Sequence, residues 1–140
     1  SVREEVELTN RVYSTPPNPV NQVITGEEIS YLVGLAKGVY MAPQIQSYIV
    51  DLVHRTRRTE RITLGASPRA SIALSKASRA RALVKGRPYV LPDDVKYLAP
   101  RVLNHRLLLS PKARTEVLSS ETVVMGLLEE TPIPPRTTHD

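Results

Sequence analysis

Apolar positions recur at helical spacing in five separated stretches of this chain. Between Gly26 and Val39 they fall at Ile29, Leu32, Val33 and Ala36, one face of a helix. Thr25 and Glu28 ahead of it have the spacing of a capping box, in which each side chain satisfies the other's free backbone donor. A second helix is predicted to start near Pro43, a favoured first helical position. Its buried stripe is Ile45, Tyr48, Ile49, Leu52 and Thr56. "RRTERIT" is too polar to extend that stripe and reads as a loop. The third helix has Ser67 as cap, Pro68 in its first turn and Gly86 as its stop. Ala70, Ala73, Leu74, Ala77, Ala80 and Val84 share its inner face, and side chains this small let another helix approach closely. A fourth helix starts at Pro92, Asp93 and Asp94, whose acids complement its dipole. Leu91 stands where a capping hydroxyl is expected, and Pro100 should end or kink the helix. Val123, Val124, Leu127 and Leu128 mark a final helix that stops at "TPIPPR".

The remaining stretches are short. The first dozen residues can form a helix with Val2, Val6 and Leu8 as its apolar contacts. Three prolines in "STPPNPV" then impose extended backbone, so Tyr13 to Ile24 reads as a linker. Tyr89–Val90 and "RLLLS" are candidate short strands. There is no internal repeat. The fold class expected is all-α, a bundle of about five helices with at most a very short two-stranded β ribbon.

Composition narrows the chemistry. The 140 residues contain no Cys, Trp or Phe, so the core rests on aliphatic side chains. Disulfides and cysteine metal sites are excluded. No apolar run approaches the roughly 20 residues of a membrane helix. A secretory leader pattern is missing at the N-terminus, and a cytoplasmic location is expected. The chain opens without Met on a charged, half-helical stretch, which reads as a piece of something longer.

The net charge of +5 is concentrated: ten of the nineteen Lys and Arg residues lie between Leu52 and Arg87, against one acid, Glu60. Such a stretch suits phosphate, nucleic acid or an acidic protein face, or is a solvated helix surface. No Gly-rich phosphate loop is present. His54, His105 and His139 are too far apart in sequence to suggest a metal site, and Ser67 has no evident base. Asp93 and Asp94 are adjacent on a helix and diverge, so they form no carboxylate pair. Independent catalysis is not expected.

Arg69 stands out. It lies in the first turn of the third helix, where unpaired N–H groups carry partial positive charge. A guanidinium there is a planar, permanently charged fork suited to phosphate oxygens. The competing reading is a surface arginine or an ion pair.

"YIVDLVHRTR", "LGASPRASIALSKASRARALVKGRPYVLPDDVKYLAPRVLNHRL" and "LLEETPIP" together resemble the C-terminal lid of MoxR-type AAA+ ATPases. The resemblance runs from about Glu4 to Pro134, and the order of "GASPRA", "GRPYVLPDDV" and "LNHRL" is specific to it. It implies that residues 1–24 are a remnant of the core ATPase domain with its linker, 25–134 the lid and 135–140 a tail. It implies ATP and Mg2+ held by an upstream core, with Arg69 as the sensor-2 arginine that contacts the γ-phosphate. Gly65, Ala66 and Pro68 are implied to border the adenine or ribose. Arg57 is a further candidate for the nucleotide or a subunit contact, against packing or solvation. The implied partners are the core domain and neighbouring subunits of a homo-oligomeric ring, a hexamer, in a chaperone-like ATPase. Leu91 departs from the family's usual Thr. The phosphate loop, magnesium-binding acids, first sensor and arginine finger are not in this sequence, so no cofactor is expected on the piece alone. The alternative is a basic, winged-helix-like module that binds nucleic acid, which few aromatics and an Ala-rich helix argue against.

Overall fold

The computed structural model describes residues 1–14 and 20–133. In chain order the elements are α1 (Val2–Ser14), α2 (Gly26–Gly38), α3 (Pro43–Arg55), β1 (Ile62–Leu64), α4 (Pro68–Val84), α5 (Pro92–Leu103), β2 (Leu108–Leu109), α6 (Pro111–Thr115) and α7 (Ser120–Glu130). A 3-10 turn at Asn104–Arg106 follows α5 directly. The expected all-α class holds, with a two-stranded antiparallel ribbon pairing β1 and β2.

The fold is organised around α4. It packs on α2, α3 and α5, and α7 closes the bundle against α3 and α5. Its buried seam is Ala70, Leu74, Ser78 and Ala82, one residue per turn. Three of the four are Ala or Ser, so neighbouring helices come close along the whole length. Ile49, Leu52 and Leu74 are fully buried at the centre. Each contributes roughly 1.5–3 kcal/mol through the apolar surface it removes from water.

Several local expectations hold. The Thr25–Glu28 capping box forms, with Glu28 N–H donating to Thr25 at 3.1 Å and Thr25 N–H to the Glu28 carboxylate at 2.7 Å. Those bonds hold the Glu28 carboxyl below the usual range, the backbone bond most strongly. Gly86 ends α4 at φ +68°, a left-handed conformation that glycine adopts without a Cβ clash. The two closing bonds run from Gly86 N–H to Leu83 and from Arg87 N–H to Ala82.

Others are corrected. Strand β1 overlaps the end of the polar "RRTERIT" stretch and runs on to Leu64, pairing with β2 with Ile62 opposite Leu109. Tyr89 instead makes an isolated bridge to Tyr40. Pro100 sits inside α5 without ending it. Its missing N–H and its ring fall on the Lys96 carbonyl four residues back, so the helix continues with one backbone bond fewer. Val84 is exposed, and the inner face of α4 turns toward Ser78 and Ala82 instead. Ile29, Leu32 and Val33 on α2 are 49%, 43% and 51% exposed, so the predicted inner face of that helix is open to solvent among the described residues. Burial begins only at its C-terminal end, where Val39 is covered. Val2, Val6 and Leu8 on α1 are likewise exposed. Pro16, Pro17 and Pro19 of the expected linker, the 135–140 tail and His139 lie outside the described residues.

Helix α6 has no counterpart in the sequence reading. Ser110 caps it by accepting from Ala113 N–H at 3.3 Å. Val117 follows its end at φ +56°, the conformation Gly86 adopts after α4.

Candidate functional site

The corner between α3 and α4 carries the sequence-singled residues. It begins at Thr56, the last position of the α3 stripe and fully buried. Its hydroxyl donates to Val53 O at 2.7 Å and accepts from Ala66 N–H at 3.0 Å. The next residue, Arg57, donates from Nε to Ala66 O at 2.8 Å. Both backbone polar groups of Ala66 are therefore held by one dipeptide. Gly65 allows this closeness. A Cβ there would lie 2.6 Å from Thr56 O, 2.6 Å from Arg57 Cγ and 2.8 Å from Arg57 Cα.

The chain then enters α4. Ser67 occupies the cap position with extended backbone, φ −77° and ψ 168°. Its hydroxyl makes no capping bond, contrary to the sequence expectation; its carbonyl instead accepts from Ala70 N–H at 2.8 Å. Pro68 and Arg69 are exposed in the first turn. Arg69 has no hydrogen bond or ion pair to the described residues. Of the four named positions, Gly65, Pro68 and Arg69 reach the surface. Ala66 is 1% exposed, so its methyl belongs to the core and its part here is to anchor the loop.

A second polar cluster sits at the start of α5. Asp94 is nearly buried and takes two bonds from Arg87, at 2.9 and 2.7 Å, one from Leu91 N–H at 2.9 Å, and an ion pair with Arg81 at 3.2 Å. Burial works to raise the Asp94 carboxyl. The hydrogen bonds from Arg87 and Leu91 and the charges of both arginines outweigh it and hold the group below the usual carboxylate range. Asp94 raises the Arg87 guanidinium in turn, chiefly by hydrogen bonding. Asp94 thus satisfies the backbone N–H of the cap residue from inside the helix, while its own N–H is taken by the Leu91 carbonyl at 3.0 Å, since Leu91 has no side-chain acceptor. Arg81 and Arg101 also lie over the Tyr97 ring, 3.5 and 3.9 Å from its centre.

Arg79 joins two helices by donating to the carbonyls of Lys37 and Val39 at the end of α2. Its long-range role has no local sequence signal. Arg79, Arg81 and Arg87 are committed internally, so the basic stretch is not one continuous free surface. Nothing here favours the nucleic-acid alternative. His54 and His105 are exposed at separate places. Among the described residues no group of three or more His, Cys, Asp or Glu could hold a metal ion. None of their helices is long and apolar enough to cross a membrane.

Comparison with known proteins bears on this corner. Residues 54–125 match the family model of the AAA lid domain. The chain is 38% identical to YeaC of Bacillus subtilis over 135 residues, covering 96% of this chain and 42% of that protein. It is 34% identical to the chaperone MoxR1 of Mycobacterium tuberculosis over 143 residues, covering 96% of this chain and 38% of the relative. A crystal structure of a protein from Cytophaga hutchinsonii assigned as an ATPase superposes with a TM-score of 0.77 at 28% identity, covering 96% of this chain and 44% of that one. The chain spans about two fifths of the length of these relatives.

Proposed function

The chain belongs to the AAA lid domain family, in its MoxR-type branch, and from that premise we propose that it supplies Arg69 as the sensor-2 arginine to ATP bound with Mg2+ by an AAA+ core in the same protein. The observation that carries the proposal is the state of Arg69. It is exposed in the first turn of α4 and has no ion pair or hydrogen bond within the described residues. A permanently charged fork kept free of carboxylates suits an anion from outside the lid.

ATP supplies the phosphoryl group and Mg2+ its charge neutralisation when bound. The contribution of this chain is positional. Arg69 is carried on a 17-residue helix tied at its start to α3 and along its length to α2 and α5. A guanidinium so mounted stabilises charge developing on phosphate oxygens, and the backbone that carries it is displaced together with the lid. Gly65 and Pro68 lie beside it and are proposed to border the nucleoside. The lid's motion is proposed to pass to neighbouring subunits of a homo-oligomeric ring, a hexamer, in a cytoplasmic chaperone-like ATPase. These partners rest on the family and on the MoxR1 relative.

The test is ATP turnover by the full-length protein. Arg69→Ala should lower kcat by about 10²-fold or more, by analogy with other transition-state donors. It should leave the lid's stability within about 0.5 kcal/mol, since an exposed, unpaired side chain is removed. Unchanged hydrolysis would remove Arg69 from this role.

A further inference from the structure

We infer that Thr56 and Arg57 are positioning residues that set the placement of Arg69. This inference rests on the sensor-2 reading above. Three observations meet at the corner. The buried Thr56 hydroxyl is fully used, donating to Val53 O and accepting from Ala66 N–H. Arg57 Nε grips Ala66 O from the other side. Gly65 brings the loop so close that a Cβ would meet backbone atoms of both residues at under 3.0 Å. The sensor side chain follows Ala66 by less than one helical turn.

Among the described residues no other side chain hydrogen-bonds to the backbone where the chain enters α4. The Ser67 hydroxyl makes no capping bond, so the start of α4 lacks the usual side-chain lock on its direction. The grip on Ala66 replaces it. α3 holds α4's first turn through two bonds to a single residue, and the backbone under Arg69 inherits that position. Arg57 is itself exposed, and binding through Nε fixes its guanidinium at the same place. The geometry assigns Thr56 its role through Arg69 and without contact to nucleotide. Misplacement of a reacting-centre donor by about 1 Å costs on the order of 10²-fold in rate.

The experiment uses the full-length ATPase with Thr56→Val, Thr56→Ser, Arg57→Met and Arg69→Ala, and the first and third each combined with Arg69→Ala. Thr56→Val keeps shape and removes the hydroxyl; Thr56→Ser keeps the hydroxyl; Arg57→Met keeps the stem packed on Gly65 and removes Nε. The first readout needs no nucleotide. Amide hydrogen exchange at Ala66 should quicken roughly tenfold in Thr56→Val and Arg57→Met, and stay near wild type in Thr56→Ser. The second is kinetic. Thr56→Val and Arg57→Met should lower kcat roughly tenfold with less than about threefold change in KM for ATP, and neither should add to the loss already caused by Arg69→Ala.

If either substitution lowers kcat by the same factor with and without Arg69, the residue does not act through Arg69 and the inference is wrong. Unchanged exchange at Ala66 in both variants overturns it as well. An Arg69→Ala enzyme with normal turnover instead removes the sensor-2 reading, and this inference with it. Arg57 is exposed, so Arg57→Met carries the test even if Thr56→Val does not fold.

Discussion

Replacing Asp94 tests how the α4–α5 half of the bundle is held. Its side chain is 3% exposed, while those of Arg87 and Arg81 are 23% and 26% exposed. Asp94→Ala removes the two bonds from Arg87, the Arg81 pair and the acceptor for Leu91 N–H. Breaking a buried pair typically costs about 3–5 kcal/mol, because the surviving charge stays unpaired. Here both arginines reach water and recover part of that. Loss of a helix-start acceptor adds about 1 kcal/mol. The expected net loss is about 2–4 kcal/mol at pH 7, measured by urea unfolding. Asp94→Asn, which keeps an oxygen for Leu91 N–H, should lose less. The pH dependence has a definite sign. A carboxyl held below its ordinary value stabilises the fold above that value and loses this effect as pH falls through the folded one. The gap between wild type and Asp94→Asn should therefore be full at pH 7 and shrink below about pH 4. A loss under about 1 kcal/mol for Asp94→Ala, or a gap for Asp94→Asn that persists unchanged at pH 2–3, would refute this account.

Two more predictions concern single contacts. Val117 adopts a left-handed conformation that is costly for a β-branched residue, so Val117→Gly should stabilise the chain by about 1 kcal/mol, read as a higher urea midpoint at unchanged slope. Arg79→Met should leave the α3–α5 core intact but free the end of α2, seen as faster amide exchange over residues 37–41 and a loss of about 1–2 kcal/mol.

Most helices were legible because their signals are local. Thr25 with Glu28, Pro43, Pro68 with Gly86, and Pro92 with Asp94 each act within a few residues, and the structure starts or ends a helix at each. What escaped depends on distant partners. Helical spacing marked Ile29, Leu32 and Val33 as one face, but periodicity does not say whether anything covers that face. Ile62–Leu64 is a strand because Leu108–Leu109 lies beside it, and its polar neighbours hid it. The candidate site divides the same way. That Arg69 stands in the first turn of α4 was legible from Ser67 and Pro68, while its sensor-2 role is what the resemblance implies. The grip on Ala66 was not legible, because Thr56 falls at helical spacing on the apolar stripe of Ile45, Ile49 and Leu52. A hydroxyl at the end of such a stripe is the signal that could have found it. Arg79, Arg81 and Arg87 looked like surface charge, since their acceptors lie on other elements or across a turn.

The contact between Thr56 and Ala66 links residues only ten positions apart. Closing a loop that short costs little chain entropy and takes on the order of 10–100 ns in an unfolded chain. The β1–β2 ribbon, by contrast, must wait for most of the intervening sequence to collapse. We expect this corner to be among the earliest native features in refolding, so that Thr56→Val, which loses the hydroxyl, slows refolding, while Thr56→Ser, which keeps it, leaves the rate near wild type. The seat of the arginine would then be formed before the rest of the domain has finished assembling around it.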